Sequence, residues 1–263
     1  LQKAMHLNEK LKNKTNTYAI YNSLGVIYGR LNDTEHALLY HFKALDVQKE
    51  IGNELYIART YINIGSQYYN SKKFTKALEY QQLALEIVTK LKNKSTTATC
   101  QTNMATTYMA LSDYSSALSY FEKAMPVFKE LGREREYSRS LTNVSEIYLK
   151  APDSVLLKAS IDPMKRFSLS EEKCLESLKI ATPLEALDIV QSAWVSLSEI
   201  YEKKGDYISA YDAYKKHILY RDSISGDDIK NQITRKEIQY EYDKKETVLK
   251  YEQQLTAEQL AQQ

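Results

Sequence analysis

A self-similarity at a spacing of 40 residues constrains this chain more than anything else in it. The string Asn22-Ser23-Leu24-Gly25-Val26-Ile27-Tyr28 is followed by Ile62-Asn63-Ile64-Gly65-Ser66-Gln67-Tyr68. Thr102-Asn103-Met104-Ala105-Thr106-Thr107-Tyr108 and Thr142-Asn143-Val144-Ser145-Glu146-Ile147-Tyr148 come next. In each copy an apolar residue precedes a small one and a Tyr comes three later. That spacing puts all three on one helical face, so the Tyr28, Tyr68, Tyr108 and Tyr148 column reads as core. Nine residues after the first three tyrosines stand Ala37, Ala77 and Ala117, and seven further on Ala44, Ala84 and Ala124. These alanines mark a face where two helices approach so closely that only a small side chain fits. Each unit is therefore two antiparallel helices, turning near Asn32-Asp33, Ser71-Lys72 and Ser112-Asp113.

The register breaks once. Val195-Ser196-Leu197-Ser198-Glu199-Ile200-Tyr201 repeats the first-helix string 53 residues after the fourth copy, which is 40 plus 13. The second helix of unit four has slipped equally, with Ser170, Cys174, Ser177 and Leu178 in its small and apolar places. The slip implies an insertion at about 151–168, read as a tolerated loop. The units fall near 18–53, 54–93, 94–133, 134–182 and 183–225, five within 14–225. Ala4 lies 40 residues before Ala44, so residues 1–13 read as the second helix of a truncated unit with more repeats expected upstream.

Composition agrees with helices. Only 7 Gly and 4 Pro occur in 263 residues, which argues against a loop-rich or all-β fold. A net charge of +2, from 36 Lys+Arg against 34 Asp+Glu, gives no nucleic-acid footprint. Two cysteines, Cys100 and Cys174, make no disulfide framework. No apolar stretch is long enough to span a membrane.

Unit five runs Trp194, Leu197, Ser198, Tyr201, Gly205, Tyr207, Ala210, Tyr214. This resembles the tetratricopeptide pattern of Trp, Leu, small residue, Tyr, Gly, Tyr, Ala and Phe/Tyr. The resemblance implies an all-α fold, a TPR-type α-solenoid in which antiparallel helix pairs wind into a right-handed superhelix. It also implies a binding surface for polypeptides rather than an enzyme. The usual unit is about 34 residues. Kinesin light chains and bacterial peptide-sensing regulators also use lengthened units.

Residues 226–263 change character. Charges alternate, from Lys230, Arg235 and Glu237 to Lys245 and Glu246, and apolar positions are sparse. The segment reads as one charged helix, serving either as a solvated cap or as a connector that pairs as a dimer. Tyr220-Arg221-Asp222-Ser223-Ile224 and Ile238-Gln239-Tyr240-Glu241-Tyr242-Asp243-Lys244-Lys245-Glu246 resemble the end of the repeat region in Bacteroidetes signalling proteins. In that family a membrane span comes next, then a histidine kinase or a helix-turn-helix output domain. The resemblance implies an extracytoplasmic sensor region of a membrane-anchored protein. The alternative is a free-standing cytoplasmic scaffold or peptide-responsive regulator.

No catalytic constellation, metal site or cofactor site is expected. His6, His36, His41 and His217 show no metal-ligand spacing and read as surface residues. Cys100 and Cys174 read as small packing residues. Asn63, Asn103 and Asn143 recur one residue before the packed apolar position, beside the buried stripe. An Asn amide offers a donor and an acceptor, and so matches the backbone of an extended peptide. In kinesin-light-chain-like repeats an Asn here forms a ladder along the ligand, and the resemblance implies that role for these three. The other reading is a ladder of bonds to neighbouring helices. Arg59 and Arg139, four residues before their Asn, face the same groove and suit an acidic peptide. Tyr69, Met109 and Glu146 are expected in the groove with them. The expected partner is a protein or peptide, not nucleic acid.

Overall fold

The computed structural model describes residues 14–224. The expectations for 1–13 (with His6) and for 226–263, including capping and dimerisation, lie outside the described residues. Helix α1 (Lys14–Arg30) packs on α2 (Thr34–Ile51), α3 (Glu54–Asn70) on α4 (Phe74–Lys90), and α5 (Lys94–Ala110) on α6 (Tyr114–Glu130). After α7 (Glu134–Lys150) come a short α8 (Asp153–Lys158) and a 3-10 turn (Pro163–Lys165), and then α9 (Arg166–Ala181), which packs on α7. Helix α10 (Leu187–Lys203) leads into α11, helical from 207 to 224. The first helices of successive units, α1, α3, α5, α7 and α10, touch in turn and form one layer. The array is an all-helical solenoid.

In unit one the turn between the helices does two jobs with three residues. Asn32 adopts the left-handed conformation at φ 59°. The Asn32 N–H donates to Gly29 O at 3.1 Å and the Asp33 N–H to Tyr28 O at 3.0 Å, which satisfies the last carbonyls of α1. The Asp33 carboxylate then accepts from the His36 N–H and starts α2. The same long bond recurs from Lys73 N to Tyr68 O, Asp113 N to Tyr108 O and Asp206 N to Tyr201 O. Between units, Asn53 and Asn93 cap the next first helix through the Tyr56 and Thr96 N–H groups.

Ala37, Ala77, Ala117, Ala44, Ala84 and Ala124 are all fully buried at the helix–helix contact. In unit four Ser170 and Ser177 stand there instead. Their extra oxygens are matched: Ser170 Oγ donates to Ser145 O at 3.0 Å, and Ser177 Oγ to Ser138 O at 2.8 Å. Ser145 Oγ lies 3.0 Å from Cys174 Sγ. A hydroxyl zipper replaces methyl packing between α7 and α9, because a buried hydroxyl is tolerated once it is bonded. The tyrosine column is buried at Tyr68 and half-buried elsewhere. Its rings stack on second-helix tyrosines, with centroids 5.4 Å apart for Tyr28–Tyr40 and Tyr68–Tyr80 and 5.7 Å for Tyr108–Tyr120.

Two sequence expectations change. The insertion is not a bare loop: Leu156 of α8 is fully buried in a cluster with Phe121, Val144 and Ile147. His41 is not a surface residue, being only 1% exposed. It belongs to a second-helix column, His41, Gln81, Phe121, Cys174, that faces the small residue of the first helix. A Cβ on Gly25 would sit 2.5 Å from the His41 ring, so the imidazole fills the space that glycine leaves. Burial pushes the His41 imidazole down to about 4.

Gly25→Ala is expected to lower stability by about 1–3 kcal/mol, because His41 has no room to retreat. A thermal melt against wild type measures it. The folded chain resists protonation of His41 down to about pH 4, whereas the unfolded chain takes up that proton near 6.5. Stability is therefore lost as pH falls from 6.5 towards 4. His41→Gln, which copies position 81, is expected to remove that part of the acid sensitivity in urea titrations at neutral and mildly acidic pH.

Candidate functional site

The first-helix layer holds two stretches of candidate residues. The N-terminal one is a cavity of about 710 Å³ between α1, α3 and α5, closed by Gln48 of α2 and by Arg133 just before α7. That volume is within the range of small-ligand pockets, about 300–1,000 Å³. Tyr18 and Tyr56 meet edge to face with centroids 5.2 Å apart, and the Arg59 guanidinium lies 5.5 Å from the Tyr56 ring centre. Burial raises the Tyr18 phenol above its ordinary range, against a hydrogen bond to Thr60. Asn63 Nδ2 donates to Asn22 Oδ1 at 2.9 Å, joining unit two to unit one.

The two arginines in the cavity differ. Arg133 Nη1 donates to Ser95 Oγ at 2.9 Å and to Thr99 Oγ1 at 3.0 Å, while Nη2 pairs with Glu136. Among the described residues Arg59 has no ion-pair partner. Gln48 is 2% exposed, and its Oε1 has no hydrogen-bond partner among the described residues.

The second stretch continues along α5 and α7. Asn103 and Asn143 are half-buried, and among the described residues neither side-chain amide makes a hydrogen bond. Arg139 shares Asp188 of α10 with Arg135, both at 2.6 Å, so its guanidinium is tied to the next first helix. Tyr69 is half-buried beside Phe74, with ring centroids 5.6 Å apart. Burial first, and then the Glu146 carboxylate, raise the Tyr69 phenol, which places Tyr69 and Glu146 in one electrostatic neighbourhood two units apart. Glu146 also accepts from Lys150 Nζ at 2.7 Å. Met109 packs against the Ala105, Phe121 and Leu156 cluster.

The cavity thus joins only Arg59 and Asn63 of the residues read from the sequence. Asn103, Asn143, Arg139, Tyr69, Met109 and Glu146 lie beyond it. Tyr18, Asn22, Gln48, Tyr56 and Arg133 were not foreseen. Their signal was a break in the repeat: Tyr18 stands in a column with Ala58 and Ala98, and Gln48 in one with Val88 and Phe128. Arg133 takes the capping place of Asn53 and Asn93. Both cysteines are buried, and burial pushes their thiols up to about 12 at Cys100 and about 11 at Cys174. Among the described residues no group of His, Cys, Asp and Glu could hold a metal ion, and no helix is long and apolar enough to cross a membrane.

Comparison with known proteins fits this geometry. Tetratricopeptide repeat profiles match residues 56–130 and 191–221. Those two stretches carry tetratricopeptide repeats. No curated protein matches it by sequence. Among solved structures it is similar to BtubC (BKLC) from P. vanneervenii, with 18% identity, a TM-score of 0.65, and 86% of this chain and 88% of that one covered. A STAND protein with a tetratricopeptide repeat sensor from Pyrococcus horikoshii gives 18% identity and a TM-score of 0.65, over 88% of this chain but 34% of that one. The Rap conjugation gene regulator of plasmid pLS20, solved with the Phr* peptide, gives 16% identity and a TM-score of 0.64, over 81% of this chain and 55% of that one. At these identities the likeness is one of fold. The chain spans about a third of the STAND protein and just over half of the Rap regulator.

Asn63→Ala is expected to cost about 1 kcal/mol, since it strands Asn22. Asn103→Ala, which breaks no side-chain bond within the array, is expected to leave the melting temperature unchanged. Calorimetric melts of the two variants separate the cases.

Proposed function

We propose that the first-helix face binds an extended polypeptide, and that this segment is the peptide- or protein-binding sensor of a bacterial signal-transduction protein. One observation carries the reading. Asn103 and Asn143 occupy equivalent places on adjacent first helices, with amides unclaimed among the described residues. Each offers a donor and an acceptor, the complement of one backbone peptide unit. Asn63, tied to Asn22, serves the array rather than the ligand. The fold shared with the Phr*-bound Rap regulator supports a peptide ligand. The resemblance of residues 220–224 and 238–246 to Bacteroidetes signalling proteins supports an extracytoplasmic sensor coupled to a kinase or helix-turn-helix output.

Panning a phage-displayed random peptide library on the chain tests the binding reading. The double variant Asn103→Ala/Asn143→Ala is expected to weaken selected peptides by roughly tenfold or more, at two lost hydrogen bonds of about 0.5–1.5 kcal/mol each. Its melting temperature should match wild type. Binding that survives this variant unchanged rejects the ladder.

A further inference from the structure

We propose that the outer stripe of α11 pairs two copies of this chain, with the two helices antiparallel and related by a two-fold axis between Ala213 and Tyr214. The stripe runs Ile208, Tyr211, Asp212, Lys215 and Leu219. It lies on a second helix, so the pairing is independent of the polypeptide-binding reading of the first-helix face.

The repeat singles out the two ends of the stripe. Ala210 is the equivalent of Ala37, Ala77, Ala117 and Ser170, so Ile208 stands where the earlier units carry Glu35, Thr75, Ser115 and Ser168. Leu219 stands where they carry Asp46, Glu86, Pro126 and Lys179. All eight of those residues are exposed, so in units one to four no neighbouring helix covers either place. Unit five puts aliphatic side chains there instead, with Ile208 81% and Leu219 64% exposed. A further unit stacked in the same register would leave both in water. Their cover therefore has to come from outside the array's own packing. The two residues can share one cover, because eleven steps of 100° bring Leu219 back to within about 20° of Ile208 around the helix.

The order of residues between those ends selects a second copy as the cover. Tyr211 is 63% exposed, and Lys215 Nζ lies 4.8 Å from its ring centre and 2.8 Å from Asp212 Oδ1. Laid against itself in the opposite direction, the stripe is self-complementary. Ile208 meets the second copy's Leu219, Asp212 meets its Lys215, and Tyr211 meets its Lys216. Each contact then occurs twice, as an isologous two-fold interface requires. A parallel pair would set Asp212 on Asp212 and Lys215 on Lys215, and like charges face to face oppose association. The five residues of the stripe present roughly 500–600 Å² per copy, the low end for specific interfaces, which suits a weak dimer of micromolar affinity.

The test uses the full chain. Sedimentation velocity from about 1 to 300 µM is expected to show a monomer–dimer equilibrium, the range that an interface of this size implies. Ile208→Glu, which copies position 35, should weaken dimerisation by at least about tenfold, because the two-fold axis counts the change twice. Its melting temperature in dilute solution should match wild type, since the side chain is exposed. Oxidative cross-linking reads the orientation. A mixture of the Ile208→Cys and Leu219→Cys proteins is expected to give a disulfide-linked heterodimer, and either protein alone far less. Cys100 and Cys174 are buried and leave that readout clean. A wild type that stays monomeric throughout overturns the proposal and leaves the stripe to a different partner. A dimer that Ile208→Glu does not weaken lies elsewhere on the chain and overturns it equally. Cross-linking of Ile208→Cys to itself in preference to the mixed pair overturns the antiparallel arrangement.

Discussion

Two points of near-contact in each helix pair govern the rest of this molecule. At Ala37 and Ala44, and at their equivalents in units two to four, nothing larger than a methyl or a bonded hydroxymethyl separates first helix from second. Close packing at those points fixes the pairing and rotation of the two helices, because interiors tolerate neither voids nor overlap. Once the pair is set, the small first-helix residue at Gly25, Gly65, Ala105 or Ser145 faces a second-helix side chain shaped to fit. That is His41, Gln81, Phe121 and Cys174 in turn. Very different chemistries occupy one slot, since the slot demands volume and a matched partner rather than a residue type.

The exceptions to the pattern have two different meanings. In unit four the hydroxyls of Ser138, Ser145, Ser170 and Ser177 replace methyl contacts but donate to backbone carbonyls, so the departure is closed within the core. The inserted α8 also serves packing, through Leu156. In units one and two, Gln48 Oε1 has no hydrogen-bond partner and Arg59 no ion-pair partner among the described residues, and both residues line the same cavity. A polar group that the fold satisfies reports on stability. One that the fold leaves unsatisfied costs stability until a partner group is supplied.

The repeat, its helix pairs, its turns and the slipped unit were all legible in the sequence, because period and small-residue spacing follow directly from helix geometry. The site was legible only in part. Spacing put Asn63, Asn103 and Asn143 on one face but had no means of seeing that Asn63 is bonded to Asn22, or that Asp188 holds Arg139 from 49 positions away. Both depend on side-chain reach between units. His41 was misplaced for a related reason: a polar residue in a buried column looks exposed until the glycine opposite is seen to make room for it.

By itself the sequence determined that this chain is a helical repeat array, where it slips, and which face of each first helix is free. These are local consequences of a 3.6-residue helix carrying small residues at set intervals. Only the tertiary structure decided which polar groups on that face are already matched. Matching depends on distances between units that no single unit encodes, and among the described residues it leaves the Asn103 and Asn143 amides without a hydrogen bond.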